Sequence, residues 1–189
     1  MRKDAAELQA LRENAAIDDQ AMEAVFAAIA PGVTEAELAE VARGVFREAG
    51  AQPLFTIVGA GRNGAFPHHH TGDTPLREDD AVVVDIGARM GAGSSDITRM
   101  AAVRRPPEGY EAVHAAVEQA VQAALDAARP GARAADVDRA ARAVIEAAGY
   151  GAQFVHRTGH GMGLEPHEPP WIAAGEETVL EPGMVFTIE

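Results

Sequence analysis

A pair of helices separated by proline and glycine recurs in this chain, and the repetition, read as an internal duplication rather than the chance match that Ala-rich helices also allow, constrains its fold more than any other feature. Residues 4 to 29 carry Leu8, Leu11, Ile17, Met22, Val25 and Ile29 at helical spacing with no Gly or Pro, which predicts one long amphipathic helix ending at Pro31-Gly32. Thr34, followed three residues later by Glu37, makes a capping box that opens a second helix through Leu38, Val41, Val45 and Phe46 to Gly50. After Pro106-Pro107 the pattern returns. Tyr110, Val113, Val117, Val121 and Leu125 form a stripe as far as Pro130-Gly131, and another helix spans about 134 to 148. The breaks are offset by 130 − 31 = 99 positions, and the same offset pairs Ala42 with Ala141, Arg43 with Arg142, Val45 with Val144 and Ala49-Gly50 with Ala148-Gly149. A duplicated run of two helices followed by strands predicts α+β architecture in a single domain spanning residues 1–189. Its halves, 4–103 and 108–189, would pack helices on one face of a curved, mostly antiparallel sheet.

The strands of this plan carry carboxylates. Leu54–Val58 reads as a strand entering a Gly-rich turn, and residues 81 to 86, Ala-Val-Val-Val-Asp-Ile, are continuous enough in valine to be buried on both faces. Asp85 lies inside that run. A turn around Met90-Gly91 leads into Asp96–Val103 as the returning strand, and a turn centred between 90 and 91 sets Asp85 directly opposite Asp96. Two carboxylates so placed have Cβ atoms about 5 Å apart and repel. The chain then keeps a proton on one of them or holds a divalent cation between them, unless the hairpin is a solvated surface one. Gly183-Met-Val-Phe-Thr-Ile-Glu189 is another short apolar strand with a carboxylate in it.

The stretch His156-Arg-Thr-Gly-His160-Gly-Met-Gly-Leu-Glu-Pro-His167-Glu168 holds three of the seven histidines. Its glycines disfavour a helix by roughly 1 kcal/mol each relative to alanine. In an extended chain His156 and His160 share a face, with room for a metal or substrate to approach; solvated loop histidines are the alternative. The chain has no cysteine, so any metal must be held by His, Asp and Glu. His160, Asp85, Asp96 and Glu189 offer imidazole and oxygen ligands suited to manganese, cobalt, zinc or iron, two from each half. A formal charge of −13 argues against a nucleic-acid partner. No apolar run approaches the roughly 20 residues of a membrane span, and the first residues lack an apolar signal core, so a cytoplasmic protein is expected.

Taken in order, Val-Val-Asp85-Ile-Gly, Ser95-Asp96-Ile-Thr-Arg99, the His156–Glu168 stretch with Pro169, and Gly183–Glu189 resemble the pita-bread-fold metallopeptidases, above all the Xaa-Pro aminopeptidases and Xaa-Pro dipeptidases (prolidases). The resemblance runs essentially end to end. It implies a pita-bread fold of two pseudo-symmetric halves and hydrolysis of Xaa-Pro bonds, at peptide N-termini or in dipeptides, by a water activated between two divalent metals, manganese first among them. Asp85, Asp96, His160 and Glu189 would be the metal ligands, with Asp96 bridging. His68, in Ala65-Phe-Pro-His68, matches a loop histidine near the substrate, and His167 matches one that stabilises the transition state. Glu189 is also a candidate proton acceptor, and His156 is typical of the proline-directed members and so a substrate-binding candidate. His69, His70 and His114 receive no role. The resemblance further implies a homodimer, and a longer protein with a separate domain before Arg2 and a strand with a final bridging glutamate after Glu189. Related hydrolases of other amides, or a binding module without catalysis, are the competing readings.

Overall fold

A computed structural model describes residues 1–189, which form two compact units. The first is Gln9–Tyr110; the second combines Met1–Leu8 with Glu111–Glu189. The division falls near the expected midpoint, but the first eight residues belong with the second half of the chain.

The first unit opens with α1 (Ala5–Ala28), whose residues from Gln9 onward belong to it. Leu11, Ile17, Met22 and Val25 are buried as their spacing predicts, and Asn14 and Asp18 are buried on the same face. Helix α2 (Glu35–Glu48) starts where the capping box places it: Thr34 accepts from the Glu37 amide, and the Glu37 carboxylate takes the Thr34 amide at 2.8 Å. Such a cap stabilises the helix by about 1 kcal/mol. Behind the helices lie β1 (Gln52–Ala60), β2 (Ala81–Met90), β3 (Gly93–Ser94) and β4 (Ile97–Ala102), all antiparallel, with β2 between β1 and β4. Along β2 the side chains alternate. Val82, Val84 and Ile86 are fully buried, whereas Ala81, Val83 and Asp85 are half-buried, so only one face of the strand enters the core. Phe46, Leu38, Val25 and Val58 fill that core, and truncating Phe46 to alanine would cost about 3–5 kcal/mol.

In the second unit α3 (Tyr110–Ala127) and α4 (Ala134–Ala147) meet through small side chains. The buried positions of α3 are Ala116, Ala120 and Ala124, the last two clustered with Ala134, Val137, Ala141 and Ile145. The expected stripe does share a face: Val113, Val117 and Val121 line one cavity with Ala141 and Ile145 of α4, but Val113, Val117 and Leu125 are exposed, and the fully buried positions between the helices fall to alanine, which lets them approach closely. Strand β5 (Gly159–Gly161) pairs antiparallel with β6 (Glu168–Ile172), and residues 184–189 run beside β5 through Thr187 N–H to His160 O and Glu189 N–H to Thr158 O, both 2.8 Å. Lys3 N–H donates to Gly183 O at 2.7 Å, tying the first residues into this unit.

The repetition is structural as well as textual. Helices α2 and α4 have 14 residues each, and both are entered through a left-handed glycine, Gly32 (φ 88°) and Gly131 (φ 92°). Each glycine donates its amide at 2.8 Å to a buried leucine, Leu76 or Leu180. Counting on from those leucines, Val84-Asp85 and Ile188-Glu189 fall at equivalent positions. No helix is long and apolar enough to cross a membrane.

Candidate functional site

The first unit presents two carboxylates on one hairpin, in a register that differs from expectation. Asp85 pairs with Thr98, not Asp96, and its Oδ1 accepts from Thr98 Oγ1 at 3.0 Å. The two-residue loop is Gly91-Ala92, between Met90 and Gly93. Gly91 takes the positive φ, 61°, that a primed hairpin turn asks of its first position, and this moves the turn centre one residue and the register two. Asp96 is half-buried just ahead of β4, two residues before Thr98 and so on the alternation that carries Thr98. In a regular ladder that relation is diagonal, roughly 7–8 Å.

The hairpin is pinched and held from behind. A Cβ on Gly87 would stand 2.3 Å from the Ser95 carbonyl oxygen and 2.5 Å from Phe55 Cζ, so only glycine lets the two strands close here. Ser95 Oγ takes the Ala88 amide and donates to Asp18 Oδ1 at 2.7 Å, while Asn14 Nδ2, one turn earlier on α1, donates to Gly93 O at 2.7 Å. Burial, reinforced by the charges of Asp96 and Asp19, pushes the Asp18 carboxyl up to about 7 against the Ser95 hydrogen bond. Neither helix residue is recognisable from sequence, because both read as polar positions of an amphipathic helix.

His68 lies in the loop between β1 and β2. It is exposed, and it is the one non-glycine residue with positive φ, 55°. Its neighbour His69, for which the sequence gives no role, points Nε2 at Glu35 Oε2, 2.9 Å away. Glu35, the first residue of α2, is completely buried and also accepts from the Ala60 amide and Asn63 Nδ2 at 2.8 Å and the Gly72 amide at 3.3 Å. Burial alone would raise this carboxyl; the hydrogen bonds outweigh it and hold it below the usual range. In the sequence Glu35 is only an acidic residue of a helix's first turn.

The second unit brings His160, His167 and Glu189 together. His160 is 3% exposed in β5. Its Nδ1 lies 3.1 Å from the Gly161 carbonyl, which can only accept, so Nδ1 carries the proton. Nε2 is thereby the atom left to act as a ligand in the neutral ring, and it lies 3.1 Å from Glu189 Oε1. A lone pair and a carboxylate converging this closely call for a proton or a cation between them. The exposed His167 ring stands 4.2 Å from that of His160, centre to centre. Partial burial raises the Glu189 carboxyl, but hydrogen bonds from His160 and Thr187 and the neighbouring charges of His160 and His156 leave it lowered.

The chain bends at His156 and again at Thr158, so the run between them is not one continuous strand, and His156 is exposed where His160 is buried, yet both histidines lie close enough to Glu189 to act on its carboxyl. The flanking glycines do admit a close approach, but of backbone. A Cβ would lie 2.0 Å from Thr187 O at Gly159 and 2.4 Å from Pro169 O at Gly161. Helix α4 supports this segment with a partly buried ion pair. Asp138 accepts from Arg142 at 3.0 Å and from Thr158 Oγ1 at 2.8 Å, and Arg142 donates onward to the carbonyls of Phe154 and His156. Here too burial raises the aspartate, and the Arg142 and Thr158 bonds bring it below its ordinary value. His114 is a surface residue of α3, 3.7 Å from Glu118.

Oxygen and imidazole ligands on paired strands, with no thiolate, suit a hydrolytic divalent-metal centre, and the chain belongs to metallopeptidase family M24, whose model matches residues 9–189. Among its relatives, the Xaa-Pro dipeptidase of Pyrococcus furiosus is 39% identical over 185 residues, covering 97% of this chain and 53% of that protein. The structure of the Pyrococcus furiosus prolidase superposes with a TM-score of 0.96 at 38% identity, over 99% of this chain and 56% of the other. Dipeptidase PepE from Mycobacterium ulcerans gives 0.96 at 44% identity, over 100% and 51%. The pita-bread fold expected from the motifs is thus the fold observed. The chain spans about half the length of the curated relatives it matches.

Proposed function

We propose that the protein containing this chain is a metal-dependent peptidase of Xaa-Pro bonds, cleaving dipeptides or the N-terminal residue of longer peptides with proline second. The observation that carries the reading is the convergence of His160 Nε2 and Glu189 Oε1 with Nδ1 already committed to a carbonyl, the tautomer that a metal ligand requires. Asp85 and Asp96 on their hairpin supply the remaining ligands, and the two units act as one catalytic domain. Two divalent cations, manganese first, would lower the pKa of a water toward 7 and offset charge developing on the attacked carbonyl. His68 and His167 donate hydrogen bonds where that charge appears, each a preorganised contact worth roughly 3 kcal/mol. Glu189, held below the usual carboxyl range, is ionised at neutral pH and able to accept a proton. His156 contacts substrate from the exposed bend. A cytoplasmic homodimer fits this reading.

The test is hydrolysis of Xaa-Pro dipeptides and longer Xaa-Pro peptides by the protein as its gene encodes it, with manganese and after metal stripping, beside Asp96→Ala. Metal-dependent cleavage lost in the variant supports the proposal. Two metals bound with no Xaa-Pro cleavage would redirect it to another amide.

A further inference from the structure

We propose that Glu35 and His69 are positioning residues that hold His68 in its working orientation, an inference resting on the role given to His68 above. Phe66-Pro67-His68-His69 is a tight turn closed by the His69 amide donating to Phe66 O at 3.1 Å. Proline stands second and the residue with positive φ third, the pattern of a type II turn, whose third position is normally glycine. A histidine there costs about 1 kcal/mol, and such a conformation persists only where its surroundings enforce it. The enforcing element is the fourth residue. His69 closes the turn through its backbone and fixes it through its ring, with Nε2 on the Glu35 carboxylate.

Glu35 is itself fixed. It is the first residue of a capped helix, fully buried, and its two oxygens take donors from both ends of the loop: Ala60 at the end of β1, Asn63 in the following turn, and Gly72 on the return. Ionised Glu35 has no proton to give, so His69 Nε2 is the donor. The chain from Ala60 to Gly72 is therefore tethered at one buried anion, and the only strained residue in it is the one that faces solvent with a free choice of chemistry. Among Phe66, His68, His69 and His70, only His69 turns partly inward.

The experiment is a double-mutant cycle on the manganese-loaded protein as its gene encodes it, with His68→Ala, His69→Ala, both together, and His69→Gln, whose amide nitrogen can replace Nε2 as donor. Expected are a fall in kcat of about 10- to 100-fold for His69→Ala, KM and bound metal within twofold of the parent, and recovery to within threefold by His69→Gln. In the His68→Ala background His69→Ala should cost no further activity, because its effect passes through His68. Equal losses in both backgrounds, failure of glutamine to rescue, or no loss in His69→Ala would each overturn the inference. Unchanged kcat in His68→Ala alone would instead remove the role of His68 on which it stands.

Discussion

The pinch at Gly87 yields a prediction that ties hairpin packing to metal affinity. In Gly87→Ala the new Cβ lies 2.3 Å from Ser95 O, and ordinary contact begins near 3.4 Å, so the strands must part by about 1 Å at that point. Phe55 can rotate away; the carbonyl cannot move alone, because Ser95 is held through its hydroxyl to Asp18 and Ala88. Overpacking of this kind costs about 2–3 kcal/mol. With a urea dependence of about 2 kcal/mol per molar, the unfolding midpoint should fall by about 1 M. The Ser95 carbonyl carbon is bonded to Asp96, so the displacement passes directly to a proposed ligand, and manganese affinity measured by calorimetry should drop at least tenfold. Gly91→Ala is the control. Nothing lies within 4 Å of its Cβ, so it bears only the strain of φ 61°, about 1 kcal/mol, and should bind manganese like the parent. Gly87→Ala binding manganese within twofold of the parent, despite its lower stability, would refute the link between the pinch and the ligand.

Asp18→Asn should change how stability depends on pH in the metal-stripped protein. Because the folded pKa is raised from 3.8 to about 7, the contribution of Asp18 is fully present below pH 3.8 and is lost as pH rises through 7; the variant should match the parent near pH 4 and exceed it by up to about 4 kcal/mol at pH 8, whereas parallel stability curves would refute this. His68→Gly should raise thermal stability by about 1 kcal/mol by relieving the left-handed strain while lowering kcat, and a destabilised variant would show that the conformation is not strained. Asp138→Ala leaves the half-buried Arg142 without its carboxylate and the buried Thr158 amide and hydroxyl without their acceptor, and should cost about 2 kcal/mol by urea unfolding. With the Asp138 carboxyl held below 3.8, that stabilisation is complete above pH 3.8 and shrinks as pH falls below it, so the deficit of the variant should narrow in acid.

What the sequence reveals and conceals follows from the range of the interactions involved. Local signals carried far: the Thr34–Glu37 capping box and the glycines at 32, 50, 131 and 149 set helix ends to within a residue or two. Hairpin register depends on which residue adopts positive φ, and a Gly-rich turn offers several; choosing Met90-Gly91 over Gly91-Ala92 moved Asp85 from Thr98 to Asp96. The α3 stripe located the helix but not its buried positions, because large apolar side chains dominate a pattern count while close helix packing selects Ala116, Ala120 and Ala124. Glu35, Asp18 and Asp138 were illegible for one shared reason. A buried carboxylate is tolerated through partners tens of residues distant, such as Gly72, Ser95 and Thr158, and no short-range pattern names them.

The membership of the second unit has a consequence for the order in which the molecule can be made. Residues 9 to 110 are contiguous, so their unit can close once that length has left the ribosome. The other unit includes residues 1–8, and the bond from the Lys3 amide to the Gly183 carbonyl must wait until synthesis has passed Gly183. During that interval Lys3, whose side chain ends up only 5% exposed against Glu168, remains in water. Residues 1–8 are thus made before the first unit and placed after it.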